Sequence, residues 1–282
     1  MLEVMGCPEP TDTECVPTRS DLVVALKSRA FLLGAGAVGS LAVAGGVAGS
    51  ILLRDDRPVA LVYRGPASSP GCPEAVARLV ESGPNPLRAV YCGPGEDVGI
   101  SPETLATAAV YAQPGGGELA PAWEHMRQHA GVLRDWIGGG GGYLGFCLGG
   151  YLAGATPGFT LLPGDTARYI ASRDSTVDTT ANSIVSVRWR GVDRRMFFQD
   201  GPVFRLEAGA PASVLARYPN GEVAAVVTEF GAGRVGVVGP HPEADNSWYT
   251  NGLVNPDGIR FDLGYDLVDA VMTDRSAPTP TG

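Results

Sequence analysis

The sequence predicts an α/β protein: an open, mostly parallel sheet flanked by helices, carrying an antiparallel β insertion and preceded by an N-terminal transmembrane or signal helix. Three observations carry this expectation. Between residues 58 and 155, short continuous apolar runs alternate with helix-periodic segments, as buried parallel strands alternate with their crossover helices. Between 156 and 230 the pattern changes to short alternating segments with turn signals, as in antiparallel hairpins. Ahead of both, residues 30–53 form an uncharged stretch of 24 residues, long enough to cross a bilayer.

Residues 1–29 are polar and Pro-containing, with Cys7 and Cys15 but no periodic apolar face before Leu22; they read as a disordered tail. For residues 30–53 three readings stay open. The small residues at four-spacing, such as Gly45 and Gly49, suit a membrane anchor. Ser28-Arg29-Ala30-Phe31-Leu32 and Ala42-Val43-Ala44 suit a cleaved export signal, although a twin-arginine signal would carry one more arginine. A buried core helix is the third. The first two place the globular part outside the cytoplasm, either at the cell membrane or secreted after cleavage. The lone Gly34-x-Gly36-x-x-Gly39 has no preceding strand and reads as accidental.

The globular domain is expected over 58–273, with 274–282 a disordered Ser/Pro/Thr tail. VALVY at 59–63 reads as the first strand, 74–82 as a helix, 87–92 as the second strand and 108–112 as the third. Ser101-Pro102 reads as a helix N-cap followed by proline. Trp123, Met126, Ala130, Leu133 and Ile137 recur at spacings of three and four, predicting an amphipathic helix. Further strands are expected within 176–189, 202–206, 214–218, 224–230 and 234–239, with Asn220-Gly221 as a hairpin turn and a last helix over 265–272.

The segment with most chemical content runs from Gly142 to Ala153. Its Gly145-Phe146-Cys147-Leu148-Gly149 is a Gly-x-Cys-x-Gly turn between an apolar strand and a helix-compatible stretch, the pattern of a nucleophile elbow with cysteine as nucleophile. Such a turn needs neighbours without bulk, and it exposes a sulfur at a helix N-terminus, where N–H groups favour thiolate. A buried cysteine in a Gly-rich crossover is the plainer alternative. Of three histidines, His125 and His129 lie four apart on the expected helix and read as a surface pair, with no third ligand at a telling spacing. His241 follows an apolar strand in Pro240-His241-Pro242-Glu243. That places it at the sheet edge where ligands bind in open α/β folds, beside Cys147. Glu243 can reach back to the imidazole and set its tautomer. Oxyanion donors are available in the backbone N–H of Leu148 and in Gly115, Gly116 and Gly117, which end the third strand.

GFCLGG at the elbow, Pro-Gly-Gly-Gly after strand three and Gly-Pro-His-Pro-Glu near the end resemble the class I glutamine amidotransferase-like superfamily, with its flavodoxin-like fold. LVYRGP, QPGGG, GGGYLGFCLGGYLA, FFQDGPVF and VVGPHPEA most resemble the N-terminal domain of fungal-type biotin-protein ligases. The resemblance covers about residues 58–250. It implies a Cys147-His241-Glu243 triad: nucleophile, base and orienter. It does not imply biotin ligation, because no glycine-arginine-rich adenylate loop is present. The expected activity is hydrolysis of an amide or related acyl group in a small molecule or peptide, with no cofactor and no metal. Transfer of ammonia would need a partner chain. A non-catalytic binding module on the same fold is the alternative.

Two smaller readings complete the picture. Cys72, in the loop after strand one, and Cys92, ending strand two, would share a sheet edge if those strands are neighbours; a disulfide is then feasible, the alternative being two unbridged apolar thiols. Residues 196–202 either face the site or form a core turn. The net charge of −9, with no basic patch carrying interleaved aromatics, argues against nucleic-acid binding.

Overall fold

The computed structural model describes residues 55–273; the segments 1–29, 30–53 and 274–282 lie outside them, and with them the expected tails and the anchor or signal. Among the described residues no helix is long and apolar enough to cross a membrane.

The described chain is one eleven-stranded sheet covered by helices. Strand β1 (Val59–Tyr63) pairs in parallel with β2 (Arg88–Cys92) and with β3 (Val110–Gln113). Strand β4 (Gly142–Phe146) lies parallel to β3. Its other neighbour is β11 (Gly233–Val238), also parallel, which returns from the far end of the sequence. From there the sheet continues through antiparallel partners: β10 (Val223–Phe230), β9 (Ala212–Arg217), β6 (Ser183–Trp189) and β7 (Val192–Phe198). Off this path, β8 (Pro202–Leu206) pairs with β10 and with β5 (Gly164–Arg168). The sheet is therefore mixed, which corrects the expectation of a mostly parallel one. The antiparallel strands extend the parallel sheet instead of forming a separate layer, because β11 bonds to β4 on one side and β10 on the other.

Side-chain alternation divides the core in two. Ala60 and Val62 of β1 face α1 (Cys72–Ser82) and α6 (Asp262–Met272), through Val76, Leu79, Leu267 and Val271. Leu61 and Tyr63 face the opposite cluster, which holds Met126, Leu133, Ile137 and Leu152. These side chains are nearly all fully buried, and this two-sided burial is why the parallel strands read as continuous apolar runs. The expected amphipathic helix is broken. It divides into α3 (Leu119–Met126), a single 3₁₀ turn at Arg127–His129 and α4 (Ala130–Gly138). His125 and His129 therefore do not share one regular helix. Helix α2 (Pro102–Leu105) is a single turn, with Ser101 and Thr104 capping each other's backbone N–H.

The Cys72–Cys92 disulfide is not formed. Cys72 lies in the first turn of α1, not in a loop, and packs with Ala75, Phe197, Ala244 and Trp248. Cys92 points into the cluster of Tyr63, Tyr111 and Ala67. Burial, aided by Glu96, pushes its thiol up to about 12, so it remains protonated in ordinary conditions. The two sulfurs serve different apolar clusters, so sharing a sheet edge does not bring them together.

Candidate active site

The elbow is built by crowding. Cys147 follows β4 and precedes α5 (Leu148–Leu152), with φ 48° and ψ −102°, a strained backbone for a residue bearing a Cβ. Its N–H donates to the Val238 carbonyl at 2.9 Å, and its carbonyl accepts from Tyr151 N–H at 3.0 Å. Both flanking glycines are needed. A Cβ at Gly145 would lie 2.5 Å from the Gly149 carbonyl oxygen, and a Cβ at Gly149 would lie 2.0 Å from that of Gln113. Helix α5 is only five residues long, so what it offers is the unsatisfied N–H of its first residue, Leu148, more than a macrodipole.

His241 sits three residues beyond β11, the parallel neighbour of β4. Adjacent parallel strands thus deliver Cys147 and His241 to one sheet edge. The His241 N–H donates to the Phe197 carbonyl at 2.9 Å, fixing the turn against the end of β7. Nδ1 of the imidazole lies 2.8 Å from Glu243 Oε1. All three side chains are buried, Cys147 at 6%, His241 at 5% and Glu243 at 1% exposure. Burial works against a charged imidazolium, but the Glu243 carboxylate and the Cys147 sulfur outweigh it and hold His241 well above the ordinary histidine range. Phe197 and Trp248 pack edge-on and tilted against the ring, at centroid distances of 5.8 and 5.0 Å.

The raised value sets a pH dependence. The proton on folded His241 stabilises the fold fully below the unfolded value near 6.5, and that contribution is lost as pH rises through the folded value. The wild-type advantage over His241→Asn in urea unfolding is therefore largest near pH 6 and shrinks as the buffer is taken towards pH 9; an advantage that grows with pH would contradict the assignment.

The glycine loop divides. A Cβ at Gly115 would meet His241 Cε1 at 2.9 Å, and one at Gly116 would meet Leu148 Cδ2 at 2.6 Å, so both line the Cys147–His241 region. Gly115 also accepts from Ser69 N–H at 3.2 Å, tying the loop to the β1–α1 connection. Gly117 is exposed and faces open space. Residues 196–202 divide: Met196 and Phe198 belong to the core, whereas Phe197 packs on His241 and the Gln199 carbonyl lies 3.6 Å from the Cys147 sulfur, which donates to it.

Two contributors have only faint sequence signals. Gln113 is completely buried; its amide donates to the Ala67 carbonyl at 2.8 Å and accepts from Tyr111 Oη at 2.7 Å. It joins the loops after β1 and β3, and the hint was a lone polar residue closing an apolar strand. Trp248 lies in a 3₁₀ turn at Asn246–Trp248, where nothing in the spacing marks it. Among the described residues no group of three or more His, Cys, Asp or Glu is arranged to hold a metal ion.

The mixed α/β sheet with flanking helices thus carries a cysteine on a strand-to-helix elbow and a histidine just beyond the next parallel strand. Residues 59–174 match the family model described as "Biotin-protein ligase, N terminal", a span that includes Cys147 and stops short of His241. A glutamine amidotransferase from Thermotoga maritima is similar in structure, with a TM-score of 0.50 and 15% identity, covering 77% of this chain and 98% of that one. Gan42B, a GH42 beta-galactosidase, is similar over 65% of this chain, with a TM-score of 0.41 and 15% identity; the chain spans 27% of its length. At 15% identity the likeness to the amidotransferase is one of fold. No curated protein sequence matches the chain.

Proposed function

We propose that the domain is a cysteine-dependent hydrolase of the amidotransferase-like type, acting on an amide or related acyl group of a small molecule or peptide. The observation that carries this is the buried His241, bonded through Nδ1 to Glu243 at 2.8 Å and placed on the strand end next to that of Cys147. With Nδ1 held by Glu243, Nε2 is left to face the sulfur and carry the proton taken from it. Cys147 Sγ attacks the acyl carbon, and the resulting oxyanion is received by the Leu148 N–H and the Gly115–Gly116 turn. Nε2–H then protonates the departing amine, leaving a thioester. Water, deprotonated by the same nitrogen, attacks the thioester, releasing the acid and restoring the thiol. Release of ammonia to a second active site would require a partner chain. Residues 30–53 would tether the domain to a membrane, or direct its export, placing it outside the cytoplasm.

The test is iodoacetamide alkylation followed at the Cys147 peptide by mass spectrometry. Cys147 should react faster than free cysteine near neutral pH, and His241→Ala should slow it by about tenfold, because a lone thiol is only a few per cent ionised there. A Cys147 no more reactive than free cysteine, and indifferent to His241, would sink the reading. The cover of Gln199 over a Cys147 residue only 6% exposed favours one alternative, a non-catalytic binding module. Ligand binding retained in Cys147→Ser with no turnover would be its mark.

A further inference from the structure

We propose that the Arg168–Asp200 ion pair is a latch that holds the β7–β8 turn closed over the Cys147 sulfur, making Arg168 and Asp200 positioning residues that control entry to the site. The inference concerns the same sulfur as the proposed hydrolase, yet needs only its accessibility and not its turnover.

The sulfur is covered by main chain, through the Gln199 carbonyl at 3.6 Å. The next residue, Asp200, is the tip of the turn and is held with φ 49°, a conformation that costs a non-glycine residue energy unless its surroundings enforce it. Two side chains enforce it. Tyr151, on the helix that follows the elbow, donates from Oη to the Asp200 carbonyl at 3.0 Å. Arg168, the last residue of β5, grips the Asp200 carboxylate with both Nε (3.0 Å to Oδ1) and Nη2. After Asp200 the chain is firmly seated, since Gly201 accepts from Tyr169 N–H and Pro202 from Tyr218 Oη. The part of the cover that can lift is therefore Gln199–Asp200, and its fastening to the outside is the ion pair. That pair is open to solvent, with side-chain exposures of 51% for Arg168 and 25% for Asp200. An exposed pair is weak enough to break thermally, and its two-point geometry fixes the carboxylate in one place. A substrate must displace this cover before its acyl carbon can meet the sulfur.

The test reads access directly. Arg168→Met keeps the aliphatic stem and removes the charge; Asp200→Asn keeps a residue that tolerates positive φ. Each is expected to raise the rate of Cys147 alkylation by neutral iodoacetamide about fivefold, the scale of an exposed ion pair when opening precedes reaction. The double variant should be no faster than either single, because both remove one interaction, and Arg168→Lys should return part of the way to wild type. Unchanged rates in both singles would overturn the latch. So would additive acceleration in the double, which marks two independent losses of stability. Failure of the hydrolase reading shows elsewhere, in an indifference of Cys147 to His241→Ala, so the two can fail separately.

Discussion

If the proposed hydrolase is right, ammonia release from a panel of carboxamides is expected to fall to background in Cys147→Ala, and in His241→Ala to drop by about 10²–10⁴-fold, the usual contribution of a positioned general base. The two losses have different causes. Alanine at 147 removes the atom that forms the thioester, so nothing at the site can replace it. Alanine at 241 leaves the sulfur on its elbow with the Leu148 N–H beside it, but takes away the group that accepts the thiol proton and returns it to the departing amine. Glu243→Gln should fall between wild type and His241→Ala, since the imidazole would lose the carboxylate that fixes Nδ1 and favours its charge. A His241→Ala variant with wild-type turnover would refute the triad whatever its alkylation rate.

The second large effect is on stability. Gly149→Ala is expected to cost at least about 3 kcal/mol, above the usual range for overpacking, read as a fall in the urea midpoint at unchanged slope. The added methyl would meet the Gln113 carbonyl oxygen at 2.0 Å, and a strand backbone cannot retreat as the tip of a side chain can. Gln113 is itself held by Ala67 and Tyr111, so yielding at that point would disturb the loops that face the sulfur. Gly71→Ala, at a position open to solvent, is the control for the same chemical change: it carries the strain of positive φ without any collision, and a Gly149→Ala variant no less stable than this control would show that the elbow tolerates bulk.

The parallel half of the sheet was legible because its strands are buried on both faces: 59–63 was read to the residue, and the strands at 88–92, 110–113 and 142–146 to within a residue or two. The same holds for β8, which the reading placed at 202–206. Strands β5 and β7 were not foreseen. GDTAR is polar and only half-buried, and it finds its place by pairing with β8 alone. In VDRRMFF the first half is charged because Arg194 and Arg195 reach Asp262 and Asp257 across the fold, partners that no local pattern reveals. Its turn was hidden too: Arg190-Gly191 takes positive φ at both residues, where arginine is an unusual occupant. At the site, elbow and Pro-His-Pro-Glu turn were legible because each carries its own backbone chemistry. The cover at Gln199 and the ring of Trp248 were not, because they arrive from segments whose approach only the folded sheet decides.

That sheet also ties the site to the completeness of folding. Cys147 leaves β4 and His241 leaves β11, and 94 positions of chain (241 − 147) separate them. β11 lies between β4 and the antiparallel strands. Contacts of such long sequence separation form late and slowly, because the loop must be closed before it is rewarded. A chain folded only through the first four strands would hold the nucleophile on an unpaired strand edge, prone to join a neighbouring chain. The imidazole's arrival and the sealing of that edge are the same event, so the thiol acquires its partner when β4 loses its open edge.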